Sequence, residues 1–149
     1  MRIALYQPEI ACNVGAVMRL GACLGVGVDL IEPMGFAWDD ARVRRTAMDY
    51  VEHVEVNRHS GFEAFRAGRP ERLVLLTTKG SGSLYDFAFE PDDILLFGKE
   101  SGGVPAEVAA ACAARVRIPI RRQVRSFNLA TSAAIVASEA LRRTGGLPA

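Results

Sequence analysis

Ile94-Leu95-Leu96-Phe97-Gly98-Lys99-Glu100-Ser101-Gly102-Gly103-Val104-Pro105 is a short apolar run that passes directly into a glycine-rich loop and then a proline. Four consecutive apolar residues are too few for a helix and fit a strand buried on both faces, as parallel sheets require. Pro105 fits the first turn of a helix, where its missing N–H has no intrahelical partner to lose. Strand, loop and helix in that order form the repeating unit of an α/β domain. Working outward, the chain repeats it. Upstream, Leu73 to Thr77 reads as a second buried strand running into Thr78-Lys79-Gly80-Ser81-Gly82-Ser83. Downstream, a helix to about Ala113 leads to a strand over Arg115 to Ile118, closed by Pro119, which cannot continue a ladder. Asn128 then reads as the N-cap of a helix from Leu129 to Arg143 that Gly145-Gly146 ends.

Toward the amino terminus the pattern predicts a strand over 2–6, a helix over Val14 to Leu24 and a strand over 26–31 stopped by Pro33. A short helix over 39–47, a more exposed strand over 51–56 and a helix over Phe62 to Ala67 follow. No linker or internal repeat interrupts the 149 residues, so the reading is one domain, 1–149. With 50% hydrophobic and 23% charged residues, the chain can bury a real core, which excludes a disordered tail or a disulfide miniprotein. Cys12, Cys23 and Cys112 are odd in number and lack Cys-x-x-Cys spacing. They read as buried small hydrophobes in a reducing, cytoplasmic setting. No run reaches the eighteen or so apolar residues of a membrane span.

A net charge of +1 supplies no global field for polyanions. The distribution is uneven: residues 1–100 carry eleven basic and fifteen acidic side chains, and residues 101–149 carry seven and two. Arg115, Arg117, Arg121, Arg122 and Arg125 concentrate the excess, and arginine suits bidentate phosphate contacts. Several familiar motifs fail on spacing. Gly25-Val26-Gly27 lies between a helix and a strand, the wrong order for a dinucleotide fingerprint. Gly98-Lys99-Glu100 lacks the Ser or Thr of a P-loop, and His53 and His59 have no partners at metal-ligand spacing. Three loops after strands remain, Thr78 to Ser83, Gly98 to Gly103 and Pro119 to Asn128. Open α/β sheets bind ligands at such carboxyl ends.

Asn13, Gly15 and Arg19, then Phe97 to Pro105, then Ile118-Pro119-Ile120 with Arg125-Ser126-Phe127-Asn128-Leu129, resemble in order the three motifs of the SPOUT methyltransferases related to TrmH. Within that superfamily, Tyr6-Gln7-Pro8-Glu9-Ile10, the stretch from Glu32 to Asp40, Asp49-Tyr50 and Leu76 to Gly80 are similar to the TrmL branch, which methylates the wobble ribose of tRNA. The likeness runs from residue 3 to about 143, which implies that no separate RNA-binding domain is appended. Lys99 stands where many relatives carry Pro, and Phe127 where many carry Met or Leu.

The resemblance implies a SPOUT fold of the α/β class, a mostly parallel sheet flanked by helices with a deep C-terminal trefoil knot, assembled as a homodimer. It implies S-adenosyl-L-methionine as methyl donor, no metal and no membrane, and tRNA as partner, with nucleotide 34 of leucine tRNAs as the target. Carried over by position, Leu76, Thr77, Gly80, Gly98, Glu100, Ile118, Ile120, Ser126 and Leu129 form the donor pocket. Arg19, Asn13, Glu100, Ser126 and Asn128 carry the chemistry, and Arg121, Arg122 and Arg125 meet tRNA phosphates. A guanidinium keeps its proton under ordinary conditions, so Arg19 reads as an electrostatic stabiliser of a developing oxyanion rather than a base. On its residues alone Asn13 reads as an N-cap, and Glu100 as a solvated acid in a loop otherwise short of charge. Two alternatives stay open: a SPOUT enzyme acting on another tRNA or rRNA position, and a non-catalytic RNA-binding module.

Overall fold

The structure, a computed structural model, describes residues 1–149. In chain order it contains β1 (Arg2–Tyr6), α1 (Ala11–Leu24), β2 (Gly27–Ile31), α2 (Asp40–Ala47), a 3₁₀ turn (Met48–His53) and β3 (Val56–His59). There follow α3 (Phe62–Gly68), β4 (Leu73–Leu76), β5 (Gly82–Ser83), β6 (Ile94–Phe97), α4 (Ala106–Ala110), β7 (Ala114–Arg117) and α5 (Leu129–Thr144). The strands form one sheet in the order β3-β2-β1-β6-β4-β7-β5, and every strand pair is parallel.

Alternation along each strand decides what each face buries. Ile3 and Leu5, Val28 and Leu30, Val74 and Leu76, Leu95 and Phe97, and Val116 join the larger core. There they meet Val14, Val17 and Met18 of α1, Val43 and Ala47 of α2, and the Ala133, Val136, Ala137, Ala140 stripe of α5. Ala4, Tyr6, Ile31, Leu73, Leu75, Ile94 and Leu96 turn to the opposite face, with Phe65 of α3 and Val108 of α4. Gly15 lets α1 and α2 cross closely, because a Cβ there would lie 2.5 Å from the Thr46 Cβ. No helix is long and apolar enough to cross a membrane.

Strand order is less simple than chain order. β4 and β5 are joined by a short loop, yet β7, later in the chain, lies between them. Thr77 N–H and Leu84 N–H both donate to β7 carbonyls, those of Val116 and Arg117, so β7 is held from both sides. The segment leaving β7 then crosses the carboxyl ends of the sheet and returns as α5, which packs on α1.

Several elements differ from expectation. Residues 51–56 are not the third strand: Met48–His53 is a 3₁₀ turn and β3 lies over Val56–His59. Val51 and Val54 both pack against the core, and a separation of three suits a three-residue turn as well as alternation suits a strand. Asn13 is not an N-cap but the third residue of α1, whose N-cap position is Ile10. The helix expected to reach Ala113 stops at Ala110, and Pro105 takes the N-cap position rather than the first turn. Cys12 and Cys23 are exposed and Cys112 is half-buried, against the expectation of three buried thiols. In α1 the inward positions are already taken by Val14, Val17 and Met18, which leaves Cys12 and Cys23 on the outer face with Arg19.

Candidate active site

Strands β4, β6 and β7 end side by side, and the loops that follow them enclose a cleft of about 740 Å³. That volume lies within the range of small-molecule sites. Within it, glycines stand where the loops approach too closely for a side chain. A Cβ on Gly98 would sit 2.5 Å from the Gly103 carbonyl carbon, and one on Gly80 would sit 2.6 Å from the Val116 carbonyl carbon. Gly103 also takes a φ of +66°, a conformation that costs a side-chain-bearing residue free energy. Lys99 and Gly103 exchange two backbone hydrogen bonds of 2.9 and 3.0 Å, closing the 99–103 loop on itself.

Glu100 points from that loop toward the start of α1. Its carboxylate accepts from the backbone N–H of Glu9 at 2.9 Å and of Ile10 at 3.3 Å, and from Asn13 Nδ2 at 3.2 Å. Asn13, only 7% exposed, accepts at Oδ1 from Asn128 Nδ2 at 3.0 Å. Asn128 Oδ1 in turn accepts from Ala130 N and Thr131 N, capping α5. The direction of this relay is fixed by chemistry. The helix cap demands an oxygen from Asn128, so its NH₂ must face Asn13, whose own NH₂ is then left for the acceptor-only carboxylate. The relay ties α1, the 99–103 loop and α5 together at one point.

A second clasp runs the opposite way. The Glu9 carboxylate accepts from Ser101 N at 2.9 Å and Ser101 Oγ at 2.6 Å. The Ser101 hydroxyl and then its N–H hold the Glu9 carboxyl below its ordinary pKa, with Lys99 adding to the effect. Gly35 closes the other side: its N–H donates to the Pro8 carbonyl, and a Cβ there would meet Glu9 Cα at 2.9 Å.

Of the residues singled out from sequence, Asn13, Leu76, Thr77, Gly98, Glu100, Ile118, Ile120, Ser126, Asn128 and Leu129 all line the cleft. Gly80 does not; it supports the wall from behind, against β7. Arg19 does not line it either. Its guanidinium donates to Met48 Sδ at 3.1 Å and lies 5.1 Å from the centre of the Tyr50 ring, beyond the far end of α2. Arg121, Arg122 and Arg125 are exposed on the segment between β7 and α5, where Val124 and Phe127 are also exposed, at 57% and 42%.

Sequence reasoning missed Lys79, Lys99 and Arg115 as cleft residues and the Glu9–Ser101 clasp altogether. One signal was available for the lysines. They are the only two in the chain and each sits in a glycine loop after a strand. Arg115 gave none, since strand alternation alone does not say which face stays open. Thiol chemistry has no place here: burial first of all pushes the Cys112 thiol up to about 11, despite Arg115 and Arg66 nearby. The arrangement offers a ligand backbone donors and acceptors, apolar walls from Leu76, Ile118, Ile120 and Leu129, and cations at its mouth.

Residues 1–138 match the SpoU rRNA methylase family. A protein of Beijerinckia indica named tRNA (cytidine(34)-2′-O)-methyltransferase is 53% identical over 148 residues, covering 97% of this chain and 92% of that one. A solved structure described as "Structural insights into the 2-OH methylation of C/U34 on tRNA" superposes with a TM-score of 0.90 at 40% identity, over 95% of this chain and 94% of the other. The AdoMet-bound rRNA methyltransferase of Sinorhizobium meliloti superposes with a TM-score of 0.86 at 25% identity, over 95% of this chain and 55% of that one.

Proposed function

Since the chain belongs to the SpoU rRNA methylase family, we propose that it is a tRNA (cytidine(34)/uridine(34)-2′-O)-methyltransferase that draws its methyl group from S-adenosyl-L-methionine. The observation that carries this reading is the convergence of Asn13, Glu100 and Asn128 in one hydrogen-bonded relay beside a cleft of backbone loops. A flat, hydrogen-bonding ligand such as adenosine needs close backbone approach, and Gly98 and Gly80 permit it where any Cβ would collide with backbone. Leu76, Thr77, Gly98, Ile118, Ile120, Ser126 and Leu129 would hold the donor, with Gly80 keeping the wall in position. Bound there, the donor supplies an electrophilic methyl group.

What the protein's own residues contribute is placement and charge. Holding the ribose 2′-oxygen in line with the methyl group can be worth roughly 7–11 kcal/mol for well-oriented partners. Glu100, fixed by three donors, sets the 99–103 loop against α1, and Asn128 carries the same constraint to α5. Arg19 stabilises the developing oxyanion, and Arg121, Arg122 and Arg125 meet phosphates. Since Arg19 lies away from the cleft of its own chain, the reading includes a homodimer in which one copy's α1 serves the other copy's cleft. The outer face of α1, with Cys12, Ala16, Arg19 and Cys23, is made mostly of small side chains that permit close approach. A deep C-terminal knot, a single-domain protein of the cytoplasm and leucine tRNAs as substrates complete the proposal. The insertion of β7 between β4 and β5 supports the knot.

Methyl transfer from labelled S-adenosyl-L-methionine to tRNA lacking wobble methylation, with the product located by nuclease digestion and mass spectrometry, tests it. A 2′-O-methyl at nucleotide 34 is expected, and Arg19→Ala is expected to abolish transfer while donor binding persists. A methyl at another position would move the chain to a different branch of the family. Donor binding without transfer to any RNA would leave a binding module.

A further inference from the structure

The arginines of this chain sort into two kinds. Arg2, Arg58, Arg69, Arg72, Arg142 and Arg143 each lie within ion-pairing distance of a carboxylate. Arg66 is spent on the backbone carbonyls of Arg69, Pro70 and Glu71. The rest have no carboxylate partner, although the chain has seventeen acidic side chains to offer. Those from Arg115 to Arg125 belong to the basic carboxyl-terminal third. The others, Arg19, Arg42, Arg44 and Arg45, form a second group on the opposite part of the chain, and all are exposed.

The second group is contiguous. Arg44, Arg45 and Met48 line one hollow of about 530 Å³ at the end of α2, and Met48 Sδ accepts from Arg19 of α1 at 3.1 Å. Tyr50, 36% exposed, presents its ring beside the same guanidinium. Four acids stand in the same stretch, and none forms an ion pair with these arginines. Asp39 is occupied by the N–H groups of Ala41 and Arg42 that it caps, and Asp40 by Trp38 Nε1. Asp49 and Glu52 lie in the hollow but within 4 Å of no arginine nitrogen. Val43 and Ala47 turn inward, so α2 shows solvent its arginines. Arg44 and Arg45 close the last turn of α2, where the helix dipole offsets part of their mutual repulsion.

We propose that this face, Arg42, Arg44 and Arg45 of α2 together with Arg19 and Tyr50, is a second RNA-docking surface: the arginines take backbone phosphates and the Tyr50 ring offers a stacking platform for a base. The inference rests on the tRNA-methyltransferase reading above and deepens it. Guanidinium groups free of carboxylate partners fit phosphates bidentately, and an exposed aromatic beside them is a usual platform for an unpaired base. The surface continues to Arg19, so a strand held along α2 is led to the residue assigned to the reacting hydroxyl.

The test compares the intact chain with Arg42→Gln/Arg44→Gln/Arg45→Gln and, separately, Arg121→Gln/Arg122→Gln/Arg125→Gln, reading tRNA affinity across a salt series and donor affinity beside it. The α2 variant is expected to bind tRNA at least about tenfold more weakly near physiological salt, and to lose roughly two to three from the slope of log affinity against log salt. Donor affinity stays within twofold. Arginine-directed footprinting of the unaltered chain supplies a measurement independent of any variant: bound tRNA should shield Arg42, Arg44 and Arg45. Unchanged affinity and slope, or arginines equally reactive with and without tRNA, would overturn the proposal while leaving the methyltransferase reading intact. Arginines already shielded without RNA would assign the face to a second copy of the chain and overturn it as well. If the intact chain neither binds nor methylates tRNA, both readings fall together.

Discussion

The two ends of the sheet handle charge in opposite ways. From the middle of β2 back to the amino end of β6, Asp29 and Asp93 are fully buried and each is surrounded by cations or N–H donors. Asp29 faces Arg2 Nε at 2.5 Å, His59 Nε2 at 2.7 Å and Arg69 Nε at 3.4 Å. Asp93 accepts from Arg72 at 2.6 and 2.8 Å and from Glu90 N at 2.8 Å. Burial works to lower the Arg2 pKa, but Asp29 and Glu55 outweigh it and the net displacement is upward; for Arg72 the hydrogen bond to Asp93 leads in the same direction. At the carboxyl ends, Glu100 is satisfied by two backbone N–H groups and an amide, all neutral. Its charge is held in place without being cancelled by a bound cation. One end closes its ion pairs within the fold, and the other leaves arginines and lysines free for something that arrives.

Removing a partner from the closed end should therefore cost the most stability. Asp29→Ala leaves Arg2, His59 and Arg69 without their shared acceptor, and breaking such a buried pair typically costs about 3–5 kcal/mol. Urea unfolding should show that loss, while donor affinity per folded molecule stays near the parent value. A cost under about 1 kcal/mol would mean that the two ends are not specialised as described.

Gly98→Ala should invert the outcome. The added methyl must push the Gly103 backbone away by a full contact distance, and flexible side chains cannot absorb that shift. Donor affinity measured by calorimetry should fall by more than tenfold, about 1.4 kcal/mol or more, with a smaller change in unfolding free energy. Equal losses in both would show the loop to be part of the core rather than a cradle.

The smallest effect belongs to the Glu9–Ser101 clasp and appears as a pH dependence. Ser101 lowers the Glu9 carboxyl in the folded chain, so its contribution is fully present above the ordinary carboxylate range and is lost as pH falls through the folded value. Donor affinity should be flat from neutrality down to about pH 5 and decline below it, and Glu9→Gln should flatten the acid limb. An acid limb identical in the variant would assign it to another carboxylate.

Much of this architecture was legible because parallel strands buried on both faces leave unambiguous apolar runs. Leu73 to Leu76 and Ile94 to Phe97 lie where the pattern puts them. Which strand neighbours which is written in no local pattern, so the insertion of β7 between β4 and β5 emerges only from the structure. The cleft divides similarly. Asn13, Glu100 and Asn128 stand in recognisable motifs, whereas Glu9 and Ser101 meet across 92 positions and carry no mark of it. The arginines of α2 gave no regional charge signal, because Asp39, Asp40, Asp49 and Glu52 stand beside them in the sequence.

The place of β7 also bears on when this protein first becomes competent. As the chain is synthesised, β1 to β6 and their helices emerge before any residue of β7. Until then β4 and β5 lack the strand that joins them, and Ile118, Ser126 and Leu129 do not yet exist to close the cleft. A nascent or prematurely ended chain thus carries the α2 arginines without a finished donor site. Competence waits on β7 and the segment that follows it.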